Sequence, residues 1–150
     1  MEEGINKSLL EKIKIAFDTG EQDIRTYSPL VLAYIGDCIY ELVIRTVFVS
    51  EVNEQVQKLH KKTTTFVKAA TQAAMITALM DELTEDERAV YKRARNSKQH
   101  STKNSALGDY HKATGFEAVM GYLYLKNEED RMLTLLKKAF DMINEDNKTI

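Results

Sequence analysis

The sequence predicts an all-α protein, a bundle of six or seven helices that forms one domain. Three observations favour this fold class. The chain contains a single proline, Pro29, and no strand-like alternation of any length. Apolar residues recur three and four positions apart in most segments, which is typical of amphipathic helices. Finally, 150 residues, of which 43% are hydrophobic, can bury one core but leave little room for a second domain.

The first two helices are the most clearly marked. Apolar residues at helical spacing predict a helix over about 5–17, with Gly20 just past its end. Ser28 and Pro29 are typical of a helix start, with serine as the N-cap and proline in the first turn. From there an apolar segment runs to about Val49. Because its apolar residues go most of the way round the helix, we expect this helix to be central and buried.

The remaining segments also predict helices, separated by polar breaks. We expect these helices at about 53–63, 66–81, 84–93, 110–125 and 128–144. The three threonines at 63–65 predict the first break, and Thr84 with Glu87 forms a capping box that starts a helix. Residues 95–108 predict a loop, because serine, threonine, asparagine and glycine dominate there.

Charge is segregated along the chain. The net charge is −2, which gives no overall attraction to nucleic acid. However, residues 55–80 and 92–108 contain lysine or arginine together with histidine, and neither segment contains an acidic residue. Such a distribution indicates either a phosphate-binding surface or solvated helix faces, and the charges alone leave both readings open.

Composition argues against several classes of protein. Cys38 is the only cysteine, so the chain can form neither an internal disulfide nor a zinc-type cysteine cluster. The N-terminal residues are charged and lack the apolar core of a signal peptide. The apolar runs are too short and too interrupted to span a bilayer. We therefore expect a cytoplasmic protein with no membrane partner.

Two acidic residues stand in apolar surroundings. Asp37 lies in the middle of the most apolar helix, and Glu117 lies in a second apolar segment beside small residues. Burying an unpaired carboxylate is costly, so we expect each to be paired, hydrogen-bonded or bound to a metal. Carboxylates on facing helices can hold Mg²⁺ or Mn²⁺, and Glu41, one turn after Asp37, could add a ligand. The alternative is that both acids are structural and pair with Arg45 or a lysine.

Several segments carry a family resemblance. LAYIGDCIYE (32–41) and ATGFEAVMGYLYL (113–125) resemble the two signature segments of the ribonuclease III catalytic domain. LHKKTTTFVKAATQA (59–73) and YKRARNSKQH (91–100) resemble its stand-alone bacterial subfamily, Mini-ribonuclease III. That subfamily has no double-stranded-RNA-binding domain. The resemblance thus implies a single catalytic domain over residues 1–150.

The resemblance implies a function and a site. Asp37 and Glu117 match the metal-binding, catalytic acids of the family, with Mg²⁺ as the cofactor and Mn²⁺ as a substitute. The family fold is an all-α endonuclease domain that forms a homodimer across the helix bearing the first motif. Its substrate is double-stranded RNA, cut by water to leave 5′-phosphate ends. The subfamily is associated with trimming both ends of 23S ribosomal RNA from its precursor, which makes ribosomal proteins further candidate partners.

The chain departs from the full-length enzymes at three positions. Their first motif has carboxylates where this chain has Leu30 and Ala33, and their second has an aspartate where it has Thr114. Thr114 could hold a metal water through its hydroxyl. Asp109 could substitute only if the backbone turns, because it lies about 12 Å from Glu117 along a helix. The missing carboxylates leave an alternative function, a catalytically inactive RNA-binding or ribosome-assembly protein.

The basic segment gains a role from the resemblance. A-form RNA is recognised by shape and by contacts to phosphates and 2′-hydroxyls. Cationic and amide side chains of residues 93–104 are suited to such contacts. The RNA-binding candidates are Arg93, Arg95, Lys98, His100, Lys103 and Asn104.

Overall fold

Seven α-helices and two short 3₁₀ turns form the secondary structure of the computed structural model, which describes residues 6–97 and 106–149. The helices are α1 (Leu9–Phe17), α2 (Pro29–Glu51), α3 (Val56–Val67), α4 (Ala69–Leu79), α5 (Glu85–Arg95), α6 (Ala106–Leu125) and α7 (Glu129–Thr149). No strand occurs in the described ranges, so the all-α prediction is confirmed. None of the described helices combines the length and apolar character needed to cross a membrane.

Side-chain caps set the starts of three helices. The hydroxyl of Ser28 accepts the first-turn N–H of α2, and Pro29 occupies the first helical position, both as expected. The Thr84 and Glu87 capping box starts α5, also as expected. A second capping box at Ser8 starts α1, which places its first residue at Leu9 rather than about residue 5.

The break expected at threonines 63–65 is wrong. These residues lie inside α3, because each hydroxyl donates to the carbonyl oxygen four residues earlier, at 3.0, 2.9 and 3.4 Å. This bond satisfies the hydroxyl without leaving the helix. The break falls instead at Lys68, whose extended backbone ends α3 and precedes α4.

Two helix ends also differ from expectation. Helix α6 begins at Ala106 rather than about residue 110, and α7 runs to Thr149 rather than about residue 144. The expected loop over 95–108 is therefore shorter than predicted, because α5 runs to Arg95 and α6 begins at Ala106. Residues 98–105 of that loop lie outside the described residues.

Helix α6 is the central element of the bundle. It packs against α2, α4 and α5, and its residues from Ala113 to Phe116 and from Ala118 to Tyr124 are mostly buried. The ring of Phe116 meets that of Tyr40 edge to face, with centroids 5.0 Å apart. The Tyr40 hydroxyl in turn donates to the carbonyl oxygen of Phe66 at 2.6 Å, which ties α2 to α3.

The expectation that α2 is buried on most of its surface is wrong for the single chain. One face of α2 packs on α6, but its opposite face leaves Val31, Tyr34 and Leu42 exposed, Tyr34 by 80%. Cys38, on the same side, is exposed too. Apolar residues do occur on most sides of α2, as the sequence indicates, but no described helix covers its outer face.

Candidate active site

Two glycines determine how closely α2 and α6 approach. A Cβ atom at Gly36 would lie 1.7 Å from the carbonyl oxygen of Glu117, and one at Gly121 would lie 2.0 Å from that of Leu32. Both distances are far below van der Waals contact, so only glycine allows the two backbones to touch here. Asp37 follows Gly36 directly. The helix crossing therefore brings the Asp37 and Glu117 side chains together.

The two carboxyl groups are coupled. Burial, the charge of Asp37 and a hydrogen bond with Asp37 together raise the pKa of Glu117 to about 8. The neutral form of the Glu117 carboxyl is therefore favoured at this position near neutral pH.

The two acids differ in their exposure to solvent. Glu117 is half-buried beneath the helix crossing, whereas Asp37 is exposed in the single chain. Asp37 lines an open groove of about 530 Å³ together with Tyr34, Cys38 and Glu41. The expectation that Asp37 is buried is wrong, because its side chain faces the uncovered side of α2. Solvent therefore reaches the pair from the side of this groove.

Helix α4 contributes a third polar group that the sequence analysis missed. The Gln72 side chain is only 1% exposed and lies close enough to Glu117 to favour its charged form. Its Nε2 makes no well-formed hydrogen bond within the described part of the chain. The one signal in the sequence is an amide residue within the segment Ala69–Leu79, which is otherwise rich in alanine and large apolar residues.

The donor set suits a hard divalent cation. Two carboxylates offer oxygen ligands, and the raised pKa of Glu117 shows that positive charge is lacking there. Over residues 6–97 and 106–149, no cluster of three or more acidic, histidine or cysteine side chains is placed to hold a metal. Magnesium is commonly held by one or two carboxylates, with water and substrate phosphate completing its shell. The residues present therefore fit Mg²⁺ or Mn²⁺.

The auxiliary candidates lie at different distances from this pair. Glu41 lines the same groove, but its carboxylate pairs with Arg45 at 2.5 Å. The Thr114 hydroxyl is buried one turn before Glu117 and donates to the carbonyl oxygen of Tyr110 at 3.1 Å. Asp109 lies in the first turn of the unbroken helix α6, about 12 Å along the axis from Glu117. Their roles stay predictions.

Two of the six RNA-binding candidates are described. Arg93 is exposed in the last turn of α5, and Arg95 stacks over the Tyr91 ring at 5.4 Å. The Nε of Arg95 also donates to Asn96 at 3.2 Å, which holds the guanidinium at the end of the helix. The other four candidates lie outside the described residues; they are Lys98, His100, Lys103 and Asn104.

Comparison with known proteins gives consistent matches. The family model of the ribonuclease III domain matches residues 30–128. The chain is 47% identical to the Mini-ribonuclease 3 of Clostridium tetani, over 83% of this chain and 84% of that one. It is 38% identical to that of Enterococcus faecalis, over 85% and 98%. A crystal structure of a Fusobacterium nucleatum protein matches with a TM-score of 0.70 and 30% identity, over 85% of this chain and 99% of that one.

Proposed function

Because the chain belongs to the ribonuclease III family and to its Mini-ribonuclease 3 group, we propose that it cleaves double-stranded RNA at a metal centre formed by Asp37 and Glu117. The protein is an endoribonuclease, and its family depends on divalent metal ions. The observation that carries the proposed site is the coupled carboxyl pair at the α2–α6 crossing, with one side open to solvent.

The chain's own residues divide the work of the reaction. When bound, Mg²⁺ neutralises charge on the scissile phosphate and lowers the pKa of the attacking water. Asp37 is exposed and lines the open groove, so it would meet the phosphodiester of the substrate. Glu117 supplies the second carboxylate from beneath, where the packed core excludes water. Each cut would leave one 5′-phosphate end and one 3′-hydroxyl end, as the family resemblance implies.

A second copy of the chain completes the enzyme. The uncovered face of α2 exposes the large apolar residues Leu30, Val31, Tyr34 and Leu42, by 43–80%. Such a contiguous apolar face favours association, and a two-fold axis would pair it with itself. Asp37 lies beside this face. The homodimer would hold two centres near one duplex, one for each strand.

The substrate we propose is a structured precursor of 23S ribosomal RNA, trimmed at both ends. The similarity to Mini-ribonuclease 3 proteins supports a double-stranded RNA substrate. The 23S precursor is the RNA with which the resemblance associates that subfamily. Ribosomal proteins bound to the precursor would present it in its folded form. Arg93, Arg95 and the basic residues that follow would bind phosphates of the duplex.

Salt tests the role of the basic residues. Each lost phosphate contact lowers the dependence of log K on log salt concentration by roughly one unit. Duplex binding is measured at several salt concentrations in the presence of Ca²⁺. Arg93→Ala is expected to lower the slope of log K against log salt concentration by roughly one. Lys137→Ala, an exposed cation paired with Asp141 on α7, is the control and should leave the slope unchanged. Equal slopes for wild type and Arg93→Ala would remove Arg93 from the RNA surface.

The cleavage experiment tests the proposed function. A labelled RNA duplex is incubated with Mg²⁺ and wild-type protein, Asp37→Asn or Glu117→Gln, with single-stranded RNA and duplex DNA as substrate controls. We expect only wild type to cut, and only duplex RNA. Asp130→Asn changes an exposed acid in the first turn of α7 and should keep its activity. Duplex binding without cleavage by wild type would instead favour the RNA-binding alternative that the missing carboxylates raise.

A further inference from the structure

Gln72 is a buried polar residue of the core whose side-chain N–H is left unpaired by the described part of the chain. It lies on α4 with 1% exposure, and its Nε2 has no hydrogen-bond partner in the ranges that the structure describes. Leaving a buried N–H donor unpaired lowers stability, so such groups are rare unless they serve a function. Its neighbour Thr71 shows the usual arrangement, because its buried hydroxyl donates to the carbonyl oxygen of Thr65 at 2.6 Å.

The group that Gln72 faces is Glu117. Helix α4 packs against α6, and the amide lies near enough to the Glu117 carboxyl to act on its charge. A carboxylate oxygen of Glu117 is therefore the acceptor within reach of this N–H donor, and a charged acceptor makes the stronger hydrogen bond.

We propose that Gln72 is a positioning residue of the metal centre, whose Nε2 donates to the Glu117 carboxylate and orients it toward the bound cation. This inference rests on the proposed function, because it requires a cation between Asp37 and Glu117. Groups that hydrogen-bond to ligating carboxylates fix the direction of the ligand, and their removal typically weakens metal binding about 10- to 100-fold. The Gln72 amide, which is unpaired within the described residues, would supply the donor for this contact.

Mn²⁺ binding to the whole protein without RNA tests the proposal. Titration followed by electron paramagnetic resonance gives the affinity of wild type, Gln72→Met and Glu117→Gln, and thermal unfolding in a chelator gives their stability. Gln72→Met keeps the volume of the side chain and removes the donor. We expect about tenfold weaker Mn²⁺ binding, with metal-free stability equal to or above that of wild type.

Thr71→Val is the matched control on the same helix. It removes a satisfied buried hydroxyl, so it should lower stability and leave the Mn²⁺ affinity unchanged. Gln72→Leu repeats the measurement if Gln72→Met does not fold. Cleavage gives a further readout, because raising Mg²⁺ about tenfold should restore the rate of Gln72→Met.

The outcomes separate this proposal from the one on which it rests. Unchanged Mn²⁺ affinity in both Gln72 variants, with binding lost in Glu117→Gln, would overturn the role of Gln72 and leave the metal centre standing. Full Mn²⁺ affinity in Glu117→Gln would overturn the metal centre, and the role of Gln72 with it. Weakened binding in the Gln72 variants but not in Thr71→Val would support both.

Discussion

Glu87 and Glu117 are two shielded carboxyl groups in very different settings. Glu87, at the start of α5, is only 3% exposed, yet it accepts hydrogen bonds from Nε and Nη2 of Arg131 at 2.9 and 2.8 Å. The backbone N–H of Thr84 donates to it at 2.9 Å. Glu117 lies instead beside a second acid, Asp37, and an amide whose donor is unpaired in the described chain.

The pKa values of the two carboxyl groups are shifted in opposite directions. Burial would raise the pKa of Glu87, but the hydrogen bonds from Arg131 and Thr84 and the charge of Arg131 bring it below its usual value. The pKa of Glu117 is raised to about 8, because burial and Asp37 act together. Burial alone therefore does not mark a functional acid. The feature that indicates a functional acid is burial without a cation or hydrogen-bond donors to compensate the charge.

Exchanging each acid for its amide tests this distinction by activity. Glu117→Gln removes a proposed metal ligand, which would be worth several kcal/mol in the transition state, so cleavage should fall by at least about 1000-fold. Glu87→Gln should keep the kcat of wild type at temperatures where it is folded, because the contacts of Glu87 with the described residues, Thr84 and Arg131, are structural. Single-turnover cleavage of an RNA duplex measures both. A comparable loss of kcat in folded Glu87→Gln would break the comparison.

Stability should show the reverse pattern. Arg131→Met leaves the buried Glu87 carboxylate without its cationic partner. This should lower the free energy of unfolding by about 3 kcal/mol. Metal-free Glu117→Gln should be at least as stable as wild type. Because the folded pKa of Glu117 lies above its usual 4.5, wild type loses stability as pH rises from about 4.5 to about 8, and the amide variant should not.

Urea unfolding across that pH range measures both effects. Arg88→Met, whose guanidinium binds only carbonyl oxygens of Met80 and Leu83 among the described contacts, is the control for arginine removal. It should cost less than Arg131→Met, because no carboxylate is left unpaired. A Glu117→Gln variant less stable than wild type at pH 8 would mean that the charge of Glu117 is compensated after all.

A substitution at Gly36, where α2 and α6 touch, should have a smaller effect. It tests the distance between Asp37 and Glu117 separately from the burial of Glu117. Gly36→Ala forces the backbones of α2 and α6 apart without altering either acid, and overpacking of this kind costs about 2–3 kcal/mol. The cleavage rate should fall as well, since Asp37 moves from Glu117. Gly108→Ala, at a helical position with nothing of the described structure within 4 Å, should instead add about 0.5–1 kcal/mol. Gly36→Ala with full stability and activity would show that the crossing tolerates separation.

The parts of the fold that depend on local chemistry were predictable. The caps at Ser28 and Thr84 are formed by residues three positions apart, so their sequence pattern is sufficient. Asp37 and Glu117 stand out in the sequence because acids are unusual in apolar helices, and the structure brings their side chains together. The break at Lys68 could not, since the threonines before it have modest helix propensity but bond back within α3.

The parts that depend on packing between distant segments were not predictable. Arg131 reaches Glu87 across 44 positions of sequence, and only the docking of α7 shows the pair. The exposure of Asp37 follows from which face of α2 meets α6, which an all-round apolar pattern does not specify. Gln72 looks like an ordinary helix residue until its neighbour across the helix contact is known.

A divalent cation is proposed to replace the proton that Glu117 holds beside Asp37. Calorimetric titration with Mn²⁺ at pH 7, in buffers of different ionisation enthalpy, counts the protons released on binding. Because pH 7 lies below the pKa of Glu117, wild type should release about one proton, and the number should fall toward zero above pH 9. Glu117→Gln should release none. Tight Mn²⁺ binding by wild type with no proton release at pH 7 would contradict the claim.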